Sequence, residues 1–251
     1  MQTSTIPILY VFAISHYCEK ARWALDYLGI QYELRHVAPG EHAQIARKLG
    51  APNTHVPFLA AGGQVIQGSA DIIDWAENAT SSTEKRLTPD GDRDECARIE
   101  KRIDDIAGVH IRRFFYSEAM VEHPATVRPI FTRDLSLRKK LLVRIIWGKI
   151  RKIMIARMDL GRKQGEESRD ITAGELDWLD DLLSDGRNFL VSDQLSRTDI
   201  AVASLLAPLA LPPKHPTYKY INHPPRMAKD IAKWEQRPSI VWTRKIYEQF
   251  R

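Results

Sequence analysis

The feature that most narrows the fold is the order of apolar runs in residues 6–78. Residues 6–12 (IPILYVF) form an unbroken apolar run, the pattern of a buried strand. Ser15 follows as an N-cap residue, and residues 16–28 place Ala21, Ala24, Leu25 and Leu28 on one side of a helix that Gly29 stops. Residues 31–37 read as a second strand, 41–49 as a short helix and 56–60 (VPFLA) as a third strand. Gly62-Gly63 makes a hairpin turn into a fourth strand at 64–67, and residues 69–78 (SADIIDWAEN) form a helix opened by Ser69. The order is β-α-β-α-β-β-α. Strands separated by helices predict parallel pairing, and the Gly-Gly turn predicts one antiparallel pair.

Residues 80–91 (TSSTEKRLTPDG) are polar and turn-rich and read as a linker. Beyond them the patterning is helical: 92–116, a basic amphipathic stretch at 134–160, then 172–185 and an almost wholly apolar 196–211. Residues 212–225 hold five prolines and predict a loop; 226–237 and 239–250 read as two closing helices split by Pro238. In 134–160, Leu142, Ile146, Ile150, Ile153 and Met154 recur at helical spacing, with Arg144, Arg151 and Lys152 on other faces. There are no internal repeats.

Composition excludes several classes. Apolar residues at 43% and charged residues at 27% describe a globular chain, and two cysteines, Cys18 and Cys96, cannot make a disulfide framework. A cytoplasmic setting is expected. Residues 1–20 lack a basic start followed by a long apolar core, so no signal peptide is expected, and no spanning helix either. The net charge of +5 is unevenly placed: residues 138–163 carry ten basic and one acidic residue, a net of +9, leaving −4 elsewhere. Such a strip attracts anionic lipid or an acidic partner. Nucleic acid is not expected, because the charge sits on one helix without aromatic stacking residues. His110 and His123 show no ligand spacing, so no metal site is expected.

Three corners of the opening segment carry chemistry. Ser15 sits at a strand-to-helix turn, beside the unpaired N–H groups and positive dipole end of a helix. Val56-Pro57 opens a strand; a cis bond there turns the backbone groups of Val56 outward, where they can pair with an extended peptide. Gly68-Ser69 opens the next helix, a second anion-binding terminus. His42 and His55 lie upstream of the proline.

With these residues in this order, segment 8–76 resembles the thioredoxin-like domain of glutathione transferases. The family's elements are a Ser, Tyr or Cys at the first helix N-terminus, a Val-cis-Pro and an acidic-Ser pair. Gly68 stands here where the family has the acid. Gly40-Glu41-His42 followed by Pro52 and Val56-Pro57 is similar to theta- and delta-like members. In the second half, NFLVSDQLSRTDIAVASLL resembles the family's buried helix with its N-capping box, Ser196 to Asp199, and 223–239 resembles its closing helix. The resemblance implies a thioredoxin-like α/β domain at 1–79 and an all-helical domain at 92–251, with a basic helical insert near 117–170. It also implies a homodimer.

The function so implied is a glutathione transferase. Glutathione is the co-substrate, and Ser15 is the catalytic group that stabilises its thiolate. Val56 and Pro57 hold the cysteinyl backbone, Gly68 and Ser69 the γ-glutamyl carboxylate, and His42 and His55 the glycine end. An apolar electrophile lies against Ile14, Tyr17, Ile111, Phe114 and Phe115. Two alternatives stand beside it. One is a non-enzymatic scaffold that binds a partner or an anionic membrane surface through residues 138–163, a peripheral attachment. The other is a thiol–disulfide enzyme using Cys18. Ser196 and Asp199 read as folding elements, with Leu195 and Ile200 as a hydrophobic staple.

Overall fold

The computed structural model describes residues 6–80 and 85–251, Lys219 by its backbone only. Residues 81–84 of the expected linker, and residues 1–5 of the expected first domain, lie outside the described residues. The chain groups into two compact units: residues 1–87 with 131–145, and residues 88–130 with 146–251. The stretch 131–145, read from sequence as part of the helical insert, groups with the opening unit.

The first unit is built on strands β1 (Ile8–Val11), β2 (Glu33–His36), β3 (Phe58–Ala61) and β4 (Gln64–Gln67), in the order β2-β1-β3-β4. β1 and β2 are parallel, joined through helix α1 (His16–Tyr27). β3 follows helix α2 (Glu41–Lys48), yet it is antiparallel to β1, as well as to its hairpin partner β4. The expectation of parallel pairing after every helix therefore fails at β3. That strand enters beyond β1, away from β2, and runs the other way.

Period-two alternation sorts the two faces of the sheet. Leu9, Val11 and Leu59 are buried, as are Trp23, Ala24 and Leu25 of α1 and Ile72, Ile73 and Ala76 of helix α3 (Ser69–Ala79). Tyr10 and Phe58 point the opposite way and stack at 4.6 Å between ring centroids; with Val37 and Ala46 they form a cluster to which Phe12, Ile45 and Val56 add.

In the second unit, α4 (Arg93–Arg102) and α5 (Gly108–Ala119) replace the single expected helix at 92–116; a five-residue π-helical segment, Ile103–Ala107, joins them. Helix α6 (Pro124–Thr132) had no counterpart in the pattern, and α7 (Leu137–Met158) begins after a break at 133–136. Helix α8 (Arg162–Leu182) starts ten residues before the expected helix at 172–185. Helix α9 (Arg197–Ala210) is buried along nearly its whole length, and α10 (Pro225–Trp234) and α11 (Pro238–Phe250) close the chain.

The apolar stripe expected on α7 is out of phase with the real one. Ile150 is buried, and so are Val143 and Trp147, whereas Leu142 and Ile153 are exposed. Arg151 is not on a solvated face either: it donates to the carbonyls of Met120 and Val121 at 2.5 and 2.9 Å, capping the C-terminal end of α5.

His223, in the loop before α10, is pushed down to about 4 by burial, against which its contact with the Pro208 backbone acts in the opposite direction. The unfolded chain protonates this ring near its ordinary value of about 6.5, while the folded chain resists until about 4. Stability from this group is therefore complete above that ordinary value and is lost as pH falls toward 4. Urea unfolding across this window is expected to show the loss, and His223→Phe to flatten part of it. His36 and His110, lowered by the same cause, supply a remaining slope.

Candidate functional site

The corner at Ser15 forms because β1 ends in a turn, with the Ser15 N–H donating to the Phe12 carbonyl at 3.1 Å. Ser15 is extended, at φ −82° and ψ 118°, and its Oγ accepts from the Cys18 N–H at 3.3 Å, the N-cap arrangement for α1. The side chain is half-buried. Cys18 below it is buried, and its thiol is pushed up to about 12, by desolvation above all, with the Ser15 contact acting the other way. A thiol of that kind is inert at neutral pH, which removes support from the thiol–disulfide reading. Ile14 is buried; Tyr17 is half-buried, its ring 4.6 Å from that of His16.

The Val56–Pro57 peptide is cis. Among the described residues, no hydrogen bond engages the main-chain N–H or C=O of Val56, although Pro57 accepts from Gly68 N–H at 3.1 Å. The loop before it is held by Gln67, the last residue of β4. Its Oε1 accepts from Asn53 N–H at 2.7 Å, and its Nε2 donates to the Asn53 and His55 carbonyls at 2.9 and 2.8 Å. A buried amide must satisfy its polar atoms, and this one does so by clasping three main-chain groups of the loop. Sequence reasoning missed Gln67, because a glutamine at a strand end carries no local signal of a distant partner. Gln67→Ala is expected to cost about 1–2 kcal/mol in thermal unfolding, since the Asn53 N–H loses its acceptor and the carbonyls of Asn53 and His55 their donor.

Next to the clasp, Gly68 adopts φ +108°, a conformation that favours glycine, and opens α3 without a side-chain cap. A side chain at Gly68 would begin 3.7 Å from the Asp71 carboxylate. Ser69 is buried at the first helical position, and among the described residues its hydroxyl has no hydrogen-bond partner.

On the opposite face of the sheet, the His42 ring stands edge-on to Phe12, with centroids 4.7 Å apart. Its Nδ1 takes the Gly40 N–H at 3.0 Å and so acts as an acceptor. The Ala38 carbonyl lies 3.4 Å from the same nitrogen. Glu41 accepts from the Ala38 N–H at 2.8 Å and pairs with Lys139 at 2.6 Å; Phe131 lies edge-on to Phe12 at 6.2 Å. The returning stretch 131–145 thus packs beside α2, a neighbour that sequence reasoning missed. His55 is exposed, and its carbonyl is the part held by Gln67.

Ile111, Phe114 and Phe115 lie on α5 in the second unit, all three buried. Phe114 meets Trp234 of α10 at 6.1 Å and lines a cavity of about 300 Å³ with Glu118, Arg162, Arg169, Arg226 and Asp230. Phe115 meets His223 at 5.8 Å instead. Among the described residues, no three His, Cys, Asp or Glu side chains are placed to hold a metal ion, and no helix is long and apolar enough to cross a membrane.

A strand–helix sheet of this topology, with a serine corner, a cis-proline loop and a second helix opening, is the arrangement of a thioredoxin-like domain. Residues 9–84 match the family model described as Glutathione S-transferase, N-terminal domain. Among curated proteins, none matches the chain. Solved structures of similar fold include glutathione transferase GSTFuA3 from Phanerochaete chrysosporium, at 16% identity and a TM-score of 0.67 over 99% of this chain and 98% of that one. The glutathione S-transferase CsGST63524 of Ceriporiopsis subvermispora, solved in complex with glutathione, matches at 15% identity and a TM-score of 0.64, over 98% of each chain. Beta-etherase LigF from Sphingobium sp. strain SYK-6 matches at 20% identity and a TM-score of 0.61, over 96% of this chain and 99% of that one. Residues 9–84 are therefore similar to the N-terminal domain of glutathione S-transferases, and the chain as a whole shares the fold of solved glutathione transferases.

Proposed function

We propose that the chain is a glutathione-dependent transferase of the serine type, similar in its motifs to theta- and delta-like members or a related bacterial or fungal class. The observation that carries this reading is the open main-chain pair of Val56, one donor and one acceptor, in a unit that also offers two helix N-termini. Such a pair suits the cysteinyl backbone of an extended tripeptide. The Ser69 hydroxyl and the first N–H groups of α3 suit a γ-glutamyl carboxylate, with Gly68 leaving the approach clear. The His42 imidazole suits the glycine carboxylate, and the Lys139 ammonium, paired with the neighbouring Glu41, adds positive potential near that end. His55, its side chain exposed, serves the same end.

A free thiol with a pKa of about 8.5 is only about 3% thiolate at pH 7; lowering it by about two units makes it roughly 75% thiolate, a differential stabilisation of about 2.7 kcal/mol. The Ser15 hydroxyl, donating to sulfur at the N-terminus of α1, supplies that preference. The thiol proton leaves to solvent. The sulfur lone pair then forms a C–S bond to the electrophilic carbon, and the leaving group departs with its bonding electrons. Ile14 and Tyr17 border the Ser15 corner and would face an apolar electrophile.

Calorimetric titration with glutathione, followed by assay of a model aryl halide, tests the reading. Saturable binding with enzyme-dependent conjugation is expected, and an absence of binding at millimolar glutathione overturns it. Since one fold neighbour is named a beta-etherase, an aryl ether belongs in the same assay. The non-enzymatic scaffold is the second reading, favoured by Gly68 in place of the acid; it predicts no turnover of either electrophile.

A further inference from the structure

The most unusual surface of the molecule is on α7. Its inner side carries Val143, Trp147 and Ile150 into the interior, and Lys139 is held by Glu41. At one-turn spacing on the other side stand Leu137, Leu141 and Ile145, exposed by 83, 60 and 73%, with Leu142 beside them at 53%. An aliphatic stripe this open is costly in water and marks an interaction site. The same 22-residue helix has eight basic residues and no acidic one. Among the described residues, Arg138, Lys140, Arg144, Lys149, Lys152 and Arg157 have no ion-pair partner. On a helical wheel, Arg138, Lys149 and Lys152 share the outward side with the aliphatics, and Arg144 borders it.

We propose that this face of α7 docks on an anionic lipid surface. The side chains of Leu137, Leu141, Leu142 and Ile145 enter the boundary between headgroups and acyl chains, and Arg138, Arg144, Lys149 and Lys152 meet the lipid phosphates and carboxylates. A second copy of the chain fits less well. Four aliphatic side chains are few beside the about 20–30 residues a side of a standard interface. Two copies meeting through this helix would also set cation against cation. Nucleic acid would satisfy the charges and strand the aliphatics. A helix lying in the plane of a bilayer uses both, and among the described residues no helix is long and apolar enough to cross one. The inference stands apart from the glutathione reading.

Co-sedimentation at low salt of the full chain with phosphatidylcholine vesicles, with and without phosphatidylserine, tests it. Binding is expected only with phosphatidylserine. Both Leu141→Gln/Ile145→Gln and Arg138→Gln/Arg144→Gln should weaken the partition by at least about tenfold. The aliphatic variant should retain the wild-type melting profile and glutathione affinity; Leu137→Gln/Leu142→Gln replaces it if it does not fold. Three outcomes overturn the proposal. Wild type stays in the supernatant; or the aliphatic variants bind as well as wild type, which makes the attraction mere charge; or wild type is a dimer that these variants split, which makes the face a contact between copies. A chain that fails to bind glutathione but binds these vesicles loses only the glutathione reading.

Discussion

Replacing Ser15 by alanine is expected to lower kcat/KM for conjugation by about 25-fold at pH 7, as the thiolate falls from roughly 75% to about 3%, and by about two orders of magnitude well below both pKa values, where the full loss of about 2.7 kcal/mol is expressed. The rising limb of the pH–rate profile should move up by about two units, because a thiol without that donor ionises closer to its free value. The sign follows from the charge: the Ser15 O–H stabilises the deprotonated sulfur, so its removal raises the pKa of bound glutathione. Glutathione affinity measured well below that pKa should change little, since the neutral thiol gains little from the contact. Cys18→Ala is the companion variant. It truncates a buried side chain with a thiol pushed up to about 12, so it should cost stability while leaving conjugation in place. Activity that survives in the Ser15 variant and vanishes in the Cys18 variant would reverse the assignment.

Asp199→Ala is expected to cost about 3–5 kcal/mol and to lower the thermal midpoint by roughly 10 °C. The Asp199 carboxylate is fully buried at the start of α9. One oxygen accepts from the Leu190 N–H at 2.8 Å, and the other from both the N–H and the hydroxyl of Ser196, at 2.8 and 2.7 Å. Removing it strands two buried N–H groups and half of the capping box, whose other half is the Ser196 Oγ accepting from the Asp199 N–H. Asp199→Asn keeps one acceptor but turns an N–H₂ toward the other donors, so an intermediate loss is expected. Ser196→Ala should cost about 1 kcal/mol, the ordinary value of a cap. Specific activity per folded molecule should be unchanged in all three, measured after urea titrations establish the folded fraction.

Why these two sites could be read from sequence, and others could not, comes down to range. Ser15 and the Ser196–Asp199 box act on N–H groups three residues away, so their geometry is written in the local pattern. Gly62-Gly63 likewise announced the β3–β4 hairpin. Gln67 acts on a loop twelve to fourteen residues away, and nothing in its neighbourhood says so. The direction of β3 was misread because pairing depends on which side of β1 the strand enters, a choice made by the whole sheet. On α7, aliphatic residues occur on both the inner and the outer side, so spacing alone chose the wrong set; burial of Val143 and Trp147 fixes the phase. The π-helical segment between α4 and α5 inserts its extra residue without any break in the helical composition.

The return of residues 131–145 to the opening unit has a practical corollary for anyone dissecting the chain. A fragment ending at Leu87 lacks Phe131 at the edge of Phe12 and Lys139 at Glu41, so it would bare an apolar ring and leave a carboxylate without its cation. The two halves are interlaced along the sequence, and a single cut cannot liberate either of them intact. Maturation of the first half must wait for the ribosome to deliver residues almost sixty positions beyond its apparent end.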